Sequence, residues 1–245
     1  MTNLEDANSP IPISPSPLRT WDFMETVFVS LVAYGVYILT SWLALAIMFA
    51  VDDGASTLSP TQLQARWHGA VIVASPFAIG VLWIAIRIAR REFTEYLALN
   101  WPSPGELMRA GAIMTILVSA ELVIWSLAGA KGQATSPLTV NGAGGLLTLL
   151  IAGCIAGPVV EEFTIRGFIF RGWSQSFLGP IGTIVLTSAV WATIHTEYDW
   201  AERFPIFVAG LALGHFRWRS NSTWLTVMIH SAFNIFSFFT MGPYI

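Results

Sequence analysis

The sequence predicts an all-α fold, namely a polytopic transmembrane bundle of about seven helices. Of its 245 residues, 54% are hydrophobic and only 11% are charged, whereas about a quarter of the residues are charged in a soluble domain. The apolar runs are also long, and crossing a hydrocarbon core of about 30 Å takes about 20 helical residues. The runs are continuously apolar, unlike the alternating strands of a membrane β-barrel, so they predict helices.

Seven apolar segments define the predicted helices in chain order. The first contains no charged residue, and the sixth is the shortest. The connections 101–109 and 132–144 carry the Gly, Pro and Ser residues that are typical of turns. The predicted helices cover 26–51, 69–86, 110–130, 144–160, 181–194, 204–216 and 223–239.

The charges and the N-terminal composition predict how the chain is oriented in the membrane and where it is located. Residues 1–20 are rich in Ser and Pro and lack a signal-peptide pattern, so we expect a disordered cytoplasmic tail before a transmembrane domain over 21–245. A cytoplasmic N-terminus places nine basic residues inside and three outside, as the positive-inside rule requires. The net charge of −3 does not suggest nucleic-acid binding. We expect a multi-pass protein of the lipid bilayer, in the plasma membrane of a prokaryote.

Three ionisable residues follow the fourth apolar run, in the stretch EEFTIR at 161–166. Such groups are costly in a membrane interior unless they are paired or hydrated, so each one needs a reason. Glu162 and Arg166 lie four residues apart on one helix face and can form an ion pair, with either a structural or a catalytic role. Glu161 points about 100° away from Glu162 and has no such partner on its helix. It is therefore the better candidate for proton transfer.

His195 ends the stretch SAVWATIH and is related to Glu161 by the predicted turn between two helices. Positions 161 and 195 are symmetric about residue 178, within the turn signal LGP. In an antiparallel hairpin both residues lie about 25 Å from that turn, at 1.5 Å per residue. We therefore expect Glu161 and His195 to face each other.

The stretch HSAFN, residues 230–234, places His230 and Asn234 on one face of the last helix. Both side chains can orient water or stabilise an oxyanion, and the alternative for Asn234 is a hydrogen bond between helices. Glu121 lies in the middle of the third helix without a partner at helical spacing, which favours a structural hydrogen bond.

A glutamate, two histidines and an asparagine within a bundle suggest hydrolysis by an activated water. A paired-aspartate protease is excluded because no aspartate occurs between Asp53 and Asp199. The zinc-protease motif HExxH is absent. Ser231 directly follows His230, and adjacent helical residues do not face each other, so a Ser–His dyad between them is poor.

In this order, EEFTIR, WATIH and HSAFN resemble the motifs of the CPBP (CAAX protease and bacteriocin-processing, or Abi) intramembrane proteases. The pattern of that family is EExxxR, then FxxxH, then HxxxN or HxxxD. All three motifs lie on successive apolar segments within 144–240, and Trp191 stands where the pattern prefers Phe.

The resemblance implies an intramembrane endopeptidase that acts on a peptide or membrane-protein substrate, with prenylated CAAX proteins as one substrate class. It implies that Glu161 activates the water, His195 positions it, and His230 with Asn234 stabilises the oxyanion, while Glu162 and Arg166 support the site. The sequence leaves two mechanisms open. Glu161, His195 and His230 suffice to bind zinc, as in a metalloprotease, and they equally suffice for acid–base catalysis without a metal.

Two rival functions stay open at this point. A small-ion transporter also places Glu and His residues inside a bundle, although the sequence shows no internal repeat. A catalytically silent scaffold or immunity protein of the same family is the other alternative, and the presence of every motif residue argues against it.

Overall fold

The chain folds as a bundle of helices in the computed structural model, which describes residues 19–51, 60–127, 145–196 and 199–240. These parts contain eight helices and no strand, which confirms the predicted all-α fold. The predicted tail, apart from Arg19 and Thr20, and the predicted connection 132–144 lie outside the described residues. The helices are α1 (Phe23–Val51), α2 (Pro60–Ile88), α3 (Phe93–Tyr96), α4 (Pro104–Leu127), α5 (Leu146–Ser174), α6 (Gly179–Ile194), α7 (Trp200–Ser220) and α8 (Thr223–Thr240).

Four of these helices are long and apolar enough to cross a membrane, namely Phe23–Val51, Arg66–Ile88, Pro104–Ile124 and Leu146–Ser174. The segments Gly179–Ile194 and Thr223–Phe239 are shorter apolar helices. Each of the seven predicted helices corresponds to one long helix, and the four-residue α3 is additional. The protein is thus an integral membrane protein, and the side on which its N-terminus lies stays a prediction.

Five helices begin earlier than predicted, and in two of them, α4 and α7, polar residues cap the first turn. At the start of α4, the Ser103 hydroxyl and backbone N–H both donate to the Glu106 carboxylate. At the start of α7, Asp199 and Glu202 form a reciprocal capping box. Such caps satisfy backbone N–H groups that have no partner within the helix, which adds a turn ahead of the apolar run.

Helix α5 changes its winding on both sides of the two glutamates. Two π-helical segments, Ala152–Ala156 and Phe163–Ile169, flank the α-helical Gly157–Glu162. A π-helical turn displaces the usual backbone hydrogen bonds, and such segments are frequent at functional sites. The carbonyl groups in these segments therefore become acceptors for side chains from other helices.

The core places α5 and α8 at the centre of the bundle. One apolar cluster joins α5 and α8 to α1, α2 and α3, and a second joins them to α4, α6 and α7. Glycines bring α6 and α7 close together, since a Cβ at Gly210 or Gly214 would lie 2.9 Å from Ser188 or Ile184, respectively. Small residues permit such close approaches between membrane helices.

Candidate active site

Glu162 and Arg166 form the buried centre of the site. Glu162 is 0% exposed and Arg166 is 1% exposed, and Arg166 Nη1 donates to Glu162 Oε1 at 2.9 Å. The Nδ1 atom of His230, on α8, lies 3.0 Å from the same oxygen. The predicted ion pair is thus present, and it also fixes one ring atom of His230.

Glu161, the next residue, turns away from this pair. Its Oε2 accepts a hydrogen bond of 2.7 Å from the indole Nε1–H of Trp191 on α6. Its Oε1 lies near Gly157, where a Cβ would sit 3.8 Å from that oxygen. A side chain at this position would be in ordinary van der Waals contact with that oxygen.

The residue opposite Glu161 is Trp191, one helical turn before the expected His195. Positions 161 and 191 are symmetric about 176, and the chain turns between Ser174, the last residue of α5, and Gly179, the first residue of α6. The prediction took residue 178 as the midpoint of the hairpin and paired Glu161 with His195, whereas the hydrogen bond in the structure joins Glu161 to Trp191.

His195 occupies the C-terminal end of α6 and is partly buried. Its Nδ1 lies 2.7 Å from the carbonyl oxygen of Trp191. A carbonyl only accepts hydrogen bonds, so Nδ1 carries a proton in this contact. The sequence placed His195 within the site, and the backbone at the end of α6 fixes the orientation of its ring.

Trp191 touches each of the ionisable groups so far described except Glu162. The His195 and His230 rings both pack edge-on, with ring centroids 5.3 Å from that of the indole. The Arg166 guanidinium carbon lies 4.7 Å above the indole ring, in cation–π geometry. The sequence signalled this residue only through the motif position where the family pattern has Phe.

Asn234 uses its side chain to join α8 to α5. Its Nδ2 donates to the carbonyl oxygen of Gly153 at 2.7 Å, and Gly153 lies in the first π-helical segment. This is the interhelical hydrogen bond that was the alternative to a role at the oxyanion. One of the two amide hydrogens is used in this way.

Arg217 is a second residue that the sequence did not assign to the site. It is buried on α7, and its Nε donates to the backbone carbonyl of Arg166 at 2.9 Å, within the second π-helical segment. Its Nη1 also donates to Asn221 Oδ1 at 2.9 Å. The sequence counted Arg217 only among the cytoplasmic charges, and its spacing of four from Asn221 was the available signal.

A charge cluster centred on Glu95 of α3, which lies outside the membrane-spanning segments, connects α3 to α5. Glu95 accepts hydrogen bonds from Arg91 at 2.5 and 3.0 Å and from Arg171 at 2.5 Å. The hydrogen bonds from Arg91 hold the pKa of the Glu95 carboxyl below its usual value, because they stabilise the charged form.

The described residues form no group of the kind that binds a metal ion. Within the described ranges, no three His, Cys, Asp or Glu side chains make a group that could hold a metal ion. Glu162 is already engaged by a guanidinium and an imidazole, and one oxygen of Glu161 is engaged by an indole N–H.

The fold and the site define a class: helical membrane proteins with a buried glutamate, arginine and histidine centre at the middle of the bundle. The family model described as Type II CAAX prenyl endopeptidase Rce1-like matches residues 143–236. This match covers the three motifs and confirms the predicted resemblance to the CAAX proteases, so over these residues the chain is similar to a CAAX-type intramembrane endopeptidase. Comparisons with curated proteins and with solved structures found no significant match. The matched segment contains Glu161, Glu162, Arg166, Trp191, His195, Arg217, His230 and Asn234.

Proposed function

We propose that the protein hydrolyses a peptide bond of a membrane-associated substrate with a water that Glu161 activates. One observation carries this assignment. The two adjacent glutamates have different partners, since Glu162 is buried against Arg166 and His230, whereas Glu161 receives a single indole hydrogen bond on one oxygen. In this proposal Glu162 has a structural role, and Glu161 accepts the proton from water through Oε1.

The reaction divides into an addition and an elimination. Glu161 takes a proton from the water as the water oxygen bonds to the substrate carbonyl carbon, and the carbonyl electron pair moves to its oxygen. The scissile C–N bond then breaks, and Glu161 returns the proton to the leaving amine. General acid–base catalysis of this kind contributes typically 10²- to 10⁴-fold.

The two histidines and Asn234 serve the water and the oxyanion in this proposal. His195, whose Nδ1 bonds to the Trp191 carbonyl, lies beside Trp191 and positions the water. Because Nδ1–H of His230 donates to Glu162, the ring offers an N–H at Nε2 to the oxyanion in its imidazolium form, and that form is part of the proposal. The second amide hydrogen of Asn234 is the further donor.

The substrate class follows from the family description and is part of the proposal. A CAAX prenyl endopeptidase acts on a peptide that a prenyl group attaches to the membrane, and the site here lies within a membrane bundle. We therefore propose a peptide with a prenylated C-terminal CAAX sequence as the first substrate to test.

The test is a cleavage assay with purified protein in liposomes, on a prenylated CAAX peptide and on the same peptide without the prenyl group. Glu161→Gln keeps the size of the side chain and its acceptor oxygen but removes the base, so we expect kcat to fall at least about 100-fold with unchanged thermal stability. Glu121→Gln is the matched control, because Glu121 is a partly buried glutamate on α4, and it should cleave at the wild-type rate.

Three outcomes would count against the proposal. Full activity of Glu161→Gln would remove the assigned base. Loss of activity on treatment with a chelator, with recovery on addition of zinc, would replace the metal-free mechanism. If the wild-type protein cleaves neither peptide, the scaffold alternative is favoured instead.

A further inference from the structure

Trp191 is the residue around which the site is assembled. It is 4% exposed, and one ring contacts four ionisable side chains: Glu161 through a hydrogen bond, Arg166 through its face, and His195 and His230 through ring edges. A phenylalanine could provide the three ring contacts but has no N–H to donate. The hydrogen bond to Glu161 is therefore the contact that a tryptophan adds.

We propose that Trp191 is a positioning residue for the reaction: its indole N–H holds Oε2 of Glu161, so that Oε1 is the oxygen presented to the water. This inference rests on the proposed function of Glu161 as the base. Trp191 itself does not touch the reacting atoms in this proposal, and it acts through the orientation of the carboxylate.

The geometry gives the indole the rigidity that such a role requires. Two imidazole edges and a guanidinium pack against the ring, so the donor atom has little freedom to move. Its 2.7 Å bond ends on a carboxylate oxygen, and hydrogen bonds to charged groups are about twice as strong as neutral ones. A fixed donor thus selects one orientation of the carboxylate, whose terminal torsion angle otherwise has a broad distribution.

Positioning of this kind affects the chemical step more than substrate binding. A small misplacement of a catalytic group can cost about a hundredfold in rate. Removing the indole N–H should therefore lower kcat and leave KM nearly unchanged. A purely structural tryptophan would instead lower the amount or the stability of folded protein.

Trp173 is the matched control for the structural role. It is also buried, its indole N–H donates to the backbone carbonyl of Phe23 at 3.3 Å, and its ring stacks on the Phe23 ring at 4.9 Å. Replacing it by Phe removes a buried indole hydrogen bond outside the site. Comparison of Trp191→Phe with Trp173→Phe separates positioning from packing.

The kinetic test uses the full chain in liposomes with the prenylated CAAX peptide. We expect Trp191→Phe to lower kcat about 10- to 100-fold with KM within about twofold of the wild type. Trp173→Phe should keep the wild-type kcat, and both variants should show similar thermal stability. Wild-type kcat for Trp191→Phe, or an equal loss in both variants, overturns the proposal.

A second readout tests the contact without activity. In protein labelled with ¹⁵N-tryptophan, the resonance that disappears in Trp191→Phe identifies the Trp191 indole N–H. Glu161→Ala removes the acceptor, so this resonance should move, whereas Glu121→Ala should leave it in place. An unchanged resonance in Glu161→Ala overturns the contact on which the inference depends.

The two readouts distinguish this inference from the proposed function. If Glu161→Gln is inactive and Trp191→Phe is fully active, Glu161 stays the base and only the positioning role is lost. If the wild-type protein cleaves no peptide, both ideas fail, whatever the resonance shows.

Discussion

Replacing Glu162 by Gln should destabilise the protein, because it leaves the buried Arg166 without a counter-charge. The two side chains are 0% and 1% exposed, and their closest N–O distance is 2.9 Å. The other contacts of the guanidinium are weaker, namely a hydrogen bond of 3.4 Å to the carbonyl of Gly210 and the face of Trp191. Within the described part of the chain, the buried Nε of Arg166 has no hydrogen-bond partner.

The size of the expected loss in unfolding free energy follows from the burial of the pair. Removing one partner of a buried ion pair costs about 3 to 5 kcal/mol, because the remaining charge is left uncompensated. Glutamine keeps an oxygen that can accept from Arg166 and His230, which places the expected loss near the lower end, at about 3 kcal/mol. At 1.4 kcal/mol per tenfold, this corresponds to about a hundredfold in the folding equilibrium.

The assay is the free energy of unfolding in mixed detergent micelles, with thermal stability and cleavage rate measured on the same preparations. Arg166→Gln should lose a similar amount. The double replacement should lose less than the sum of the two single losses, because it leaves no unpaired charge. Glu161→Gln should remain close to the wild-type stability.

The reasoning would be refuted by the reverse pattern. If Glu161→Gln destabilises the protein while Glu162→Gln stays stable but inactive, the base has been assigned to the wrong glutamate. Additive losses for the Glu162 and Arg166 replacements would show instead that the pair contributes no coupling.

Two further predictions concern residues around the site. Arg217→Lys should lower the free energy of unfolding by about 2 kcal/mol, because lysine lacks the planar guanidinium whose Nε donates to the Arg166 carbonyl. As the control, Arg219→Lys replaces an exposed arginine and should change the free energy of unfolding by less than about 0.5 kcal/mol. Equal effects of the two replacements would contradict the role assigned to Arg217. Hydrogen bonds from Arg91 lower the pKa of Glu95 in the folded state. The ionised Glu95 therefore stabilises the fold at pH values above its pKa in the unfolded chain, about 4.3, and this stabilisation is lost as the pH falls through the lower pKa of the folded state. Melting temperatures of the wild type and Glu95→Gln should therefore differ at neutral pH and converge below about pH 4, and a constant difference would contradict this reasoning.

The helix bundle was predictable because apolar run length is a property of the chain itself. Crossing a membrane requires a minimum number of apolar residues, and seven long helices lie where the runs predict them. The early starts of α4 and α7 were missed because their capping residues are polar and lie outside the apolar runs. The Glu162–Arg166 pair was predictable because residues four apart share a helix face.

Contacts between helices could not be predicted from the spacing of residues along the chain. A midpoint of the hairpin two residues earlier than assumed places the Trp191 indole in hydrogen-bond contact with Glu161. The π-helical segments of α5 change which carbonyls need partners, and this brings Arg217 and Asn234 onto α5. Neither the winding nor the partners can be derived from the motif residues alone.

The sequence by itself determined the membrane class, the helix order, the family resemblance and the set of ionisable residues, because composition and spacing along one helix are local properties. The tertiary structure alone decided which glutamate is buried against Arg166 and His230 and which one receives the indole of Trp191. The physical reason is that adjacent helical residues point about 100° apart, so two chemically identical side chains meet different neighbours. Those neighbours belong to other helices, and only the packing of the bundle brings them to the site.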